Sequence, residues 1–276
     1  MTLVNEMGLL NPAFGKSQPM IEIRSGPHGT PGGADGTTIS GLTLDSAEYQ
    51  AGTTILDFAN NTTLNDLNVE AATSNNHHNP DTFGIRVIAI CNPSTFSTVH
   101  RVDNRIDNVT ITGQGGDGNT ELDLSCQLGT SVNNVEIVGN GMDIYNSQNI
   151  TVNHATLVGE ASIGTAFTWV INHSANVVLN DVTTVGSGGV IVQHRDDEPS
   201  SHITVENEVM QDLAAALIVG DVDGLLLEND RLAKLRIDPA QVATAITLRG
   251  TTVAGPVQCS HPALISHLSG LSCQEG

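Results

Sequence analysis

Two histidines, His173 and His194, end the short segments TWVINH and GVIVQH, and the second opens the longest charged turn of the chain, HRDDEPSSH at 194–202. Histidine titrates near neutrality, and beside carboxylates it can take or give a proton at physiological pH. Arg195, Asp196 and Asp197 follow at once, and Tyr145 lies in the related segment MDIYN. Together these groups offer a general acid, a general base and a cation to steady developing charge. His173, His194, Arg195, Asp196, Asp197 and Tyr145 are therefore the candidate catalytic residues.

Their meeting requires that the segments lie side by side. Aligned end to end, the segments put Asp143, Val170, Ile191, Ile218 and Thr247 in one outward row. Tyr145, Asn172, Gln193, Gly220 and Arg249 form the next. On that alignment His173 and His194 are lateral neighbours about 5 Å apart at the backbone, and Asp143, Asn172, Gln193, Asp221 and Arg249 are placed to hold a substrate. Asp196, Asp197, Asp221 and Asp223 offer hard oxygen ligands, which makes calcium a possible cofactor, although no EF-hand or G-G-x-G-x-D pattern is present. His77 and His78 with Asp81 and His100 are a weaker metal set. GQGGDGN at 113–119 lacks the lysine and helix of a phosphate loop and reads as a turn.

The elements that must position these groups are visible as repeats. NSQNITVNHATLVG at 146–159 is echoed 27 residues later by HSANVVLNDVTTVG at 173–186. Asn108-Val-Thr-Ile, Asn134-Val-Glu-Ile, Asn149-Ile-Thr-Val and Asn176-Val-Val-Leu share one line, continued by His202-Ile-Thr-Val and Gly224-Leu-Leu-Leu. Most spacings run from 22 to 27 residues, with one of 15 between Asn134 and Asn149. Apolar and polar residues alternate inside each copy, the period of a strand. A period in the twenties with several short strands per copy describes a solenoid whose windings stack at about 4.8 Å. Equivalent asparagines then form ladders along the stack and serve structure. The segments MDIYN, TWVINH, GVIVQH and LIVGD give a second strand per winding, with TLRG at 247–250 next in line. Trp169 reads as a core residue.

Composition agrees. Aromatics are 3% of 276 residues, so the core must be aliphatic. Thirty acidic against ten basic residues give a formal charge of -20, a field that repels nucleic acid and anionic membranes. No run of about 18 apolar residues offers a membrane span. The start, MTLVNEMGLL, lacks the basic head and apolar length of a signal peptide, so an exported protein would have lost its signal. Four cysteines without C-x-x-C spacing suit disulfides, with Cys259–Cys273 and Cys91–Cys126 as one pairing, and equally suit buried thiols. One β-helix domain over 1–276 is expected, with regular coils over about 20–255 and a cap at 256–276.

The S-x-N-h-x-h-N-x-x-T-x-V-G repeat resembles the right-handed parallel β-helix of the pectate-lyase-like superfamily, over roughly residues 20–255. The resemblance implies an all-β solenoid and a secreted protein that cleaves or modifies a polysaccharide by lyase, hydrolase or epimerase chemistry. The alternative that it leaves is a non-catalytic surface, adhesion or tail-fibre module binding glycan or protein. A small-molecule isomerase or cyclase on the same scaffold is the third reading. The N-T-D, G-H-G and R-I-K elements of polygalacturonase-like hydrolases, the R-x-P-x-x-R of pectate lyases and the D-P-H of uronan epimerases are absent. Only an isolated Asp-Asp, 196–197, matches.

Overall fold

Residues 27 apart in the opening repeat are lateral neighbours in space: Asn153 pairs with Asn180, Thr156 with Thr183 and Val158 with Val185. The computed structural model describes residues 2–4, 19–24, 34–45, 53–70, 83–88, 101–113, 120–159, 167–192, 199–240, 244–270 and 272–275. Within these, every strand pair is parallel and each winding passes through two sheets, the first of which often takes two consecutive strands, as with Ser200–Glu206 and Val209–Met210. The first sheet includes the strands Arg105–Thr112, Ser131–Gly139, Gln148–Gly159, Ala175–Val185 and Ser200–Glu206. The second includes Phe83–Ile88, Thr120–Ser125, Met142–Tyr145, Trp169–Asn172, Gly189–Val192 and Leu217–Val219. Parallel neighbours one winding apart define a parallel β-helix.

The inward residues explain why the windings stack. Ile106, Val132, Val152, Leu179 and Val205 are inward partners along the first sheet, as are Leu124, Ile144, Ile171, Ile191 and Val219 along the second, all at most 1% exposed. Each such burial contributes about 1.5–3 kcal/mol. No single winding can bury its own apolar edge, so each depends on the next. The largest buried side chain is Trp169, at 0% exposure in the core as expected.

The corners explain the asparagines. Asn108, Asn134, His154, Asp181, Asn207 and Asn229 all have φ between 53° and 60° or, for Asn134, 52°, and they fall in one column by register. Asp103, Gly129, Asn149, Asn176, His202 and Gly224 form a second left-handed column. Asn, Asp, His and Gly are the residues that tolerate this conformation. At each corner two successive residues face outward, as in Asn133 and Asn134 between buried Val132 and Val135. The inward phase then resumes on a new face, which turns the chain around the axis. The odd spacing of 15 arises because Asn134 and Asn149 belong to different columns; the residue stacked on Asn134 is His154, 20 residues on. Side chains complete the ladder: Asn176 Nδ2 donates to Asn149 Oδ1 at 3.1 Å and Asn180 Nδ2 to Asn153 Oδ1 at 3.3 Å.

Inside, Ser147, Ser174 and Ser200 make a fully buried column. The Ser174 hydroxyl accepts the Ser147 amide at 3.1 Å, and the Ser200 hydroxyl accepts the Ser174 amide at 3.2 Å. These bonds satisfy turn backbone that would otherwise be stranded in the core.

Two expectations are corrected. Thr244–Arg249 belongs to the first sheet, where Thr247 pairs with Leu226 and Arg249 with Glu228. The second-sheet strand of that winding is the short Leu235–Ile237. Alternation looks the same on both sheets, so period alone does not separate them. The segment expected as a cap continues the pairing instead: Val257–Cys259, Ile265–Ser269 and Gln274–Glu275 extend both sheets. Cys259 and Cys273 form a disulfide with Cα atoms 5.6 Å apart. Cys126 is also disulfide-bonded; Cys91 lies outside the described residues.

Candidate functional site

The outward row expected on the second sheet exists with different members. Trp169 pairs with Gly189 and Asn172 with Val192, an offset of 20 residues, whereas His173 and His194 are 21 apart. Ile191 therefore pairs with Ile171 and points inward at 0% exposure. The register has a steric cause: a Cβ on residue 189 would overlap the indole of Trp169, so the ring must stack where the chain has glycine. With that offset Val170 pairs with Val190 and not, as expected, with Ile191.

His194, Arg195, Asp196, Asp197 and Gln193 lie outside the described residues, as do His77, His78, Asp81 and His100. His173 is described and fully buried, at a corner with φ 48° stacked on Asn146 and Cys126. Asp221 is buried, and its Oδ1 accepts the Ala240 amide at 3.0 Å, which fixes the following turn. Arg249 is on the other sheet, 3.2 Å from Glu228. Tyr145, Asp143 and Asn172 do share one face.

That face carries groups the sequence reading passed over. The outward row runs Arg86, Asp123, Asp143, Val170, Val190, Ile218, Arg236. Beside it run Ser125, Tyr145 and Asn172. Asp123 and Asp143 occupy adjacent strands, about 4.8 Å apart at the backbone. Asp123 is 3% exposed, sits 2.7 Å from Arg86 Nε and accepts the Ser125 hydroxyl. Asp143 keeps part of its surface accessible, but its Oδ1 is enclosed and has no hydrogen-bond partner. Burial raises the Asp143 carboxyl to about 7, helped by repulsion from Asp123 and opposed by Arg86. Asn172 is 8% exposed and its Oδ1 also lacks a partner. Enclosed acceptors of this kind call for a donor that the described residues do not supply.

The signal for this pair was present. Leu122-Asp123-Leu124 and Met142-Asp143-Ile144 carry the same in-out-in pattern, and stacking them puts one carboxyl over the other. Asp123 did not belong to the segments first aligned.

A second carboxyl pair is internal. Glu208 is fully buried; its Oε1 accepts Trp169 Nε1 at 3.0 Å and the Thr184 hydroxyl at 2.9 Å. Its backbone amide donates to Asp230 Oδ1 at 2.8 Å, and Asp230 Oδ2 accepts the Thr251 hydroxyl at 3.2 Å. Burial is the main cause that raises each carboxyl to about 7. These two stand in an inward column otherwise made of Val109, Val135, Ala155 and Val182, and they do not reach the outer face.

Among the described residues no three His, Cys, Asp or Glu side chains are grouped to hold a metal ion, and Asp196 and Asp197 of the calcium set lie outside them. No described helix is long and apolar enough to cross a membrane.

No protein-family model matches the chain. No curated protein matches it either. Among solved structures, it is similar to full-length tailspike protein 2 from the Escherichia coli O157:H7 bacteriophage CAB120, at 11% identity and a TM-score of 0.32 over 82% of this chain. The chain spans 35% of that protein's length.

Proposed function

We propose that the outer face of the second sheet binds and hydrolyses a glycan, with Asp143 as proton donor and Asp123 as the ionised partner. One observation carries this reading: two carboxyls on adjacent strands of one row are held in different electrostatic settings. Asp143 is desolvated and raised, while Asp123 lies against Arg86 and Ser125. Glycoside hydrolysis uses one protonated and one ionised carboxyl in this way. Tyr145 supplies an aromatic face for a sugar ring, and Asn172 an amide oxygen for a hydroxyl. Val170 and Ile218 extend the row along the axis as partly exposed apolar residues suited to the C–H faces of further sugars, with Val190 buried between them.

The alternating sheets and left-handed Asn corners support placing the chain with the pectate-lyase-like β-helices. The Cys259–Cys273 disulfide supports an extracellular location. A polysaccharide or oligosaccharide is the partner proposed.

The test is reducing-end release from a polysaccharide panel by the wild type, Asp143→Asn and Asp123→Asn. Activity lost in both variants with unchanged circular dichroism supports the reading. Glycan retention without turnover in the wild type selects a non-catalytic binding module. Turnover equal to wild type in Asp143→Asn removes Asp143 from the chemistry.

A further inference from the structure

From the charges and acceptors of this face, we infer that the site takes a neutral glycan and discriminates against uronic-acid polymers. The inference rests on the reading of the Asp123–Asp143 face as a carbohydrate site, and it narrows the chemistry to hydrolysis. Elimination and epimerisation at a uronate both begin with a proton beside a sugar carboxylate, and that carboxylate needs a cation.

Among the described residues the face has none to spare. Arg86 is engaged by Asp123 at 2.7 Å, and Arg236, at the far end of the row, by Asp238 at 2.8 Å. Lys234 precedes Leu235, whose strand lies four strands beyond that of Asp143, or about 19 Å at the spacing of parallel strands. A uronate seated at Asp143 would face Asp123 and Asp143 with no unengaged cation beside it among the described residues.

The unmet hydrogen bonds point the same way. Asp143 Oδ1 and Asn172 Oδ1 are enclosed acceptors without partners, and Asn172 is more than nine-tenths buried on the same face, one strand from Tyr145. An acceptor is satisfied by a hydroxyl donor, which every neutral sugar carries. The ring hydroxyls are common to neutral sugars and uronates, and only at C6 does the carboxylate of a uronate lack a proton to give, so an acceptor meeting that position stays unmet. The formal charge of -20 adds a field that slows the approach of polyanions.

The experiment uses a matched pair: a neutral polysaccharide and the same polymer oxidised at C6 to the uronate, in affinity electrophoresis and reducing-end assays. The neutral polymers tested are a glucan, a galactan and a mannan. The expected result is binding or cleavage of at least one neutral polymer, at least tenfold weaker for its oxidised form, with the gap narrowing at high salt. Equal or better action on an oxidised polymer overturns the inference and leaves the carbohydrate reading standing. Neutral-selective binding that Asn172→Ala and Asp143→Asn remove, without any cleavage, upholds the inference and sinks the hydrolytic reading. No binding or cleavage of either form in any pair sinks both.

Discussion

Asp123 and Asp143 are register partners on adjacent parallel strands, both directed outward, yet only one of them has an arginine within ion-pair distance. Two like carboxyls so close resist ionising together. Arg86 stabilises charge on Asp123, and the enclosed Oδ1 of Asp143 favours the proton there.

Asp143→Asn is expected to lower turnover of any cleaved glycan by about 10²–10⁴-fold, the usual contribution of a positioned proton donor. The wild-type rate should fall as pH rises through about 7, where Asp143 gives up its proton. A pH–rate profile that stays flat from 6 to 9 removes Asp143 as donor.

Stability should also follow pH, through Glu208 and Asp230. Each has an ordinary value of 4.5 or 3.8 and is raised to about 7 in the folded chain. The native state then holds protons that the unfolded chain has already lost, so these groups favour folding most below about 4 and lose that contribution as pH rises to about 7. Thermal unfolding should give a higher Tm at pH 5.5 than at pH 8. Glu208→Gln should narrow that gap and raise Tm at pH 8, because it keeps an acceptor for Trp169 Nε1 and removes the buried charge.

The left-handed corners predict a sharp contrast at one exposed position. Asn176, with φ 54°, should accept glycine with little change in stability. Asn176→Val should destabilise by about 1–2 kcal/mol in urea unfolding, since a β-branched side chain crowds the backbone there. Equal effects of the two substitutions would refute the conformational role of the column.

The Cys259–Cys273 disulfide closes a segment of 14 residues over the last windings. Breaking it by Cys273→Ser should cost about 3 kcal/mol if those windings unfold with the rest. If they fray separately, limited proteolysis should cut first between 256 and 275. An unchanged urea midpoint together with an unchanged digestion pattern would show that the bridge constrains nothing.

The candidate site was legible only in part, and the reason is register. Asp143, Tyr145 and Asn172 were found because each stands among apolar residues whose alternation marks it as outward, as in Met142-Asp143-Ile144-Tyr145. The alignment of Val170 with Ile191 was read one residue out, because Val190, Ile191 and Val192 are all apolar and carry no phase. Trp169 over Gly189 sets the offset, and that is a contact between side chain and backbone one winding apart.

Period, aliphatic composition and the tolerance of Asn, Asp, His and Gly for positive φ are local properties, and from them the sequence by itself determined a parallel β-helix with an aliphatic core and polar corners. Which winding lies on which, and by how many residues, is a long-range fact settled by packing inside the stack. Only the tertiary structure therefore brought Asp123 beneath Asp143, sent Arg249 to the other sheet and enclosed Glu208 with Asp230. Ionisation follows from neighbours and burial, and no single strand contains either.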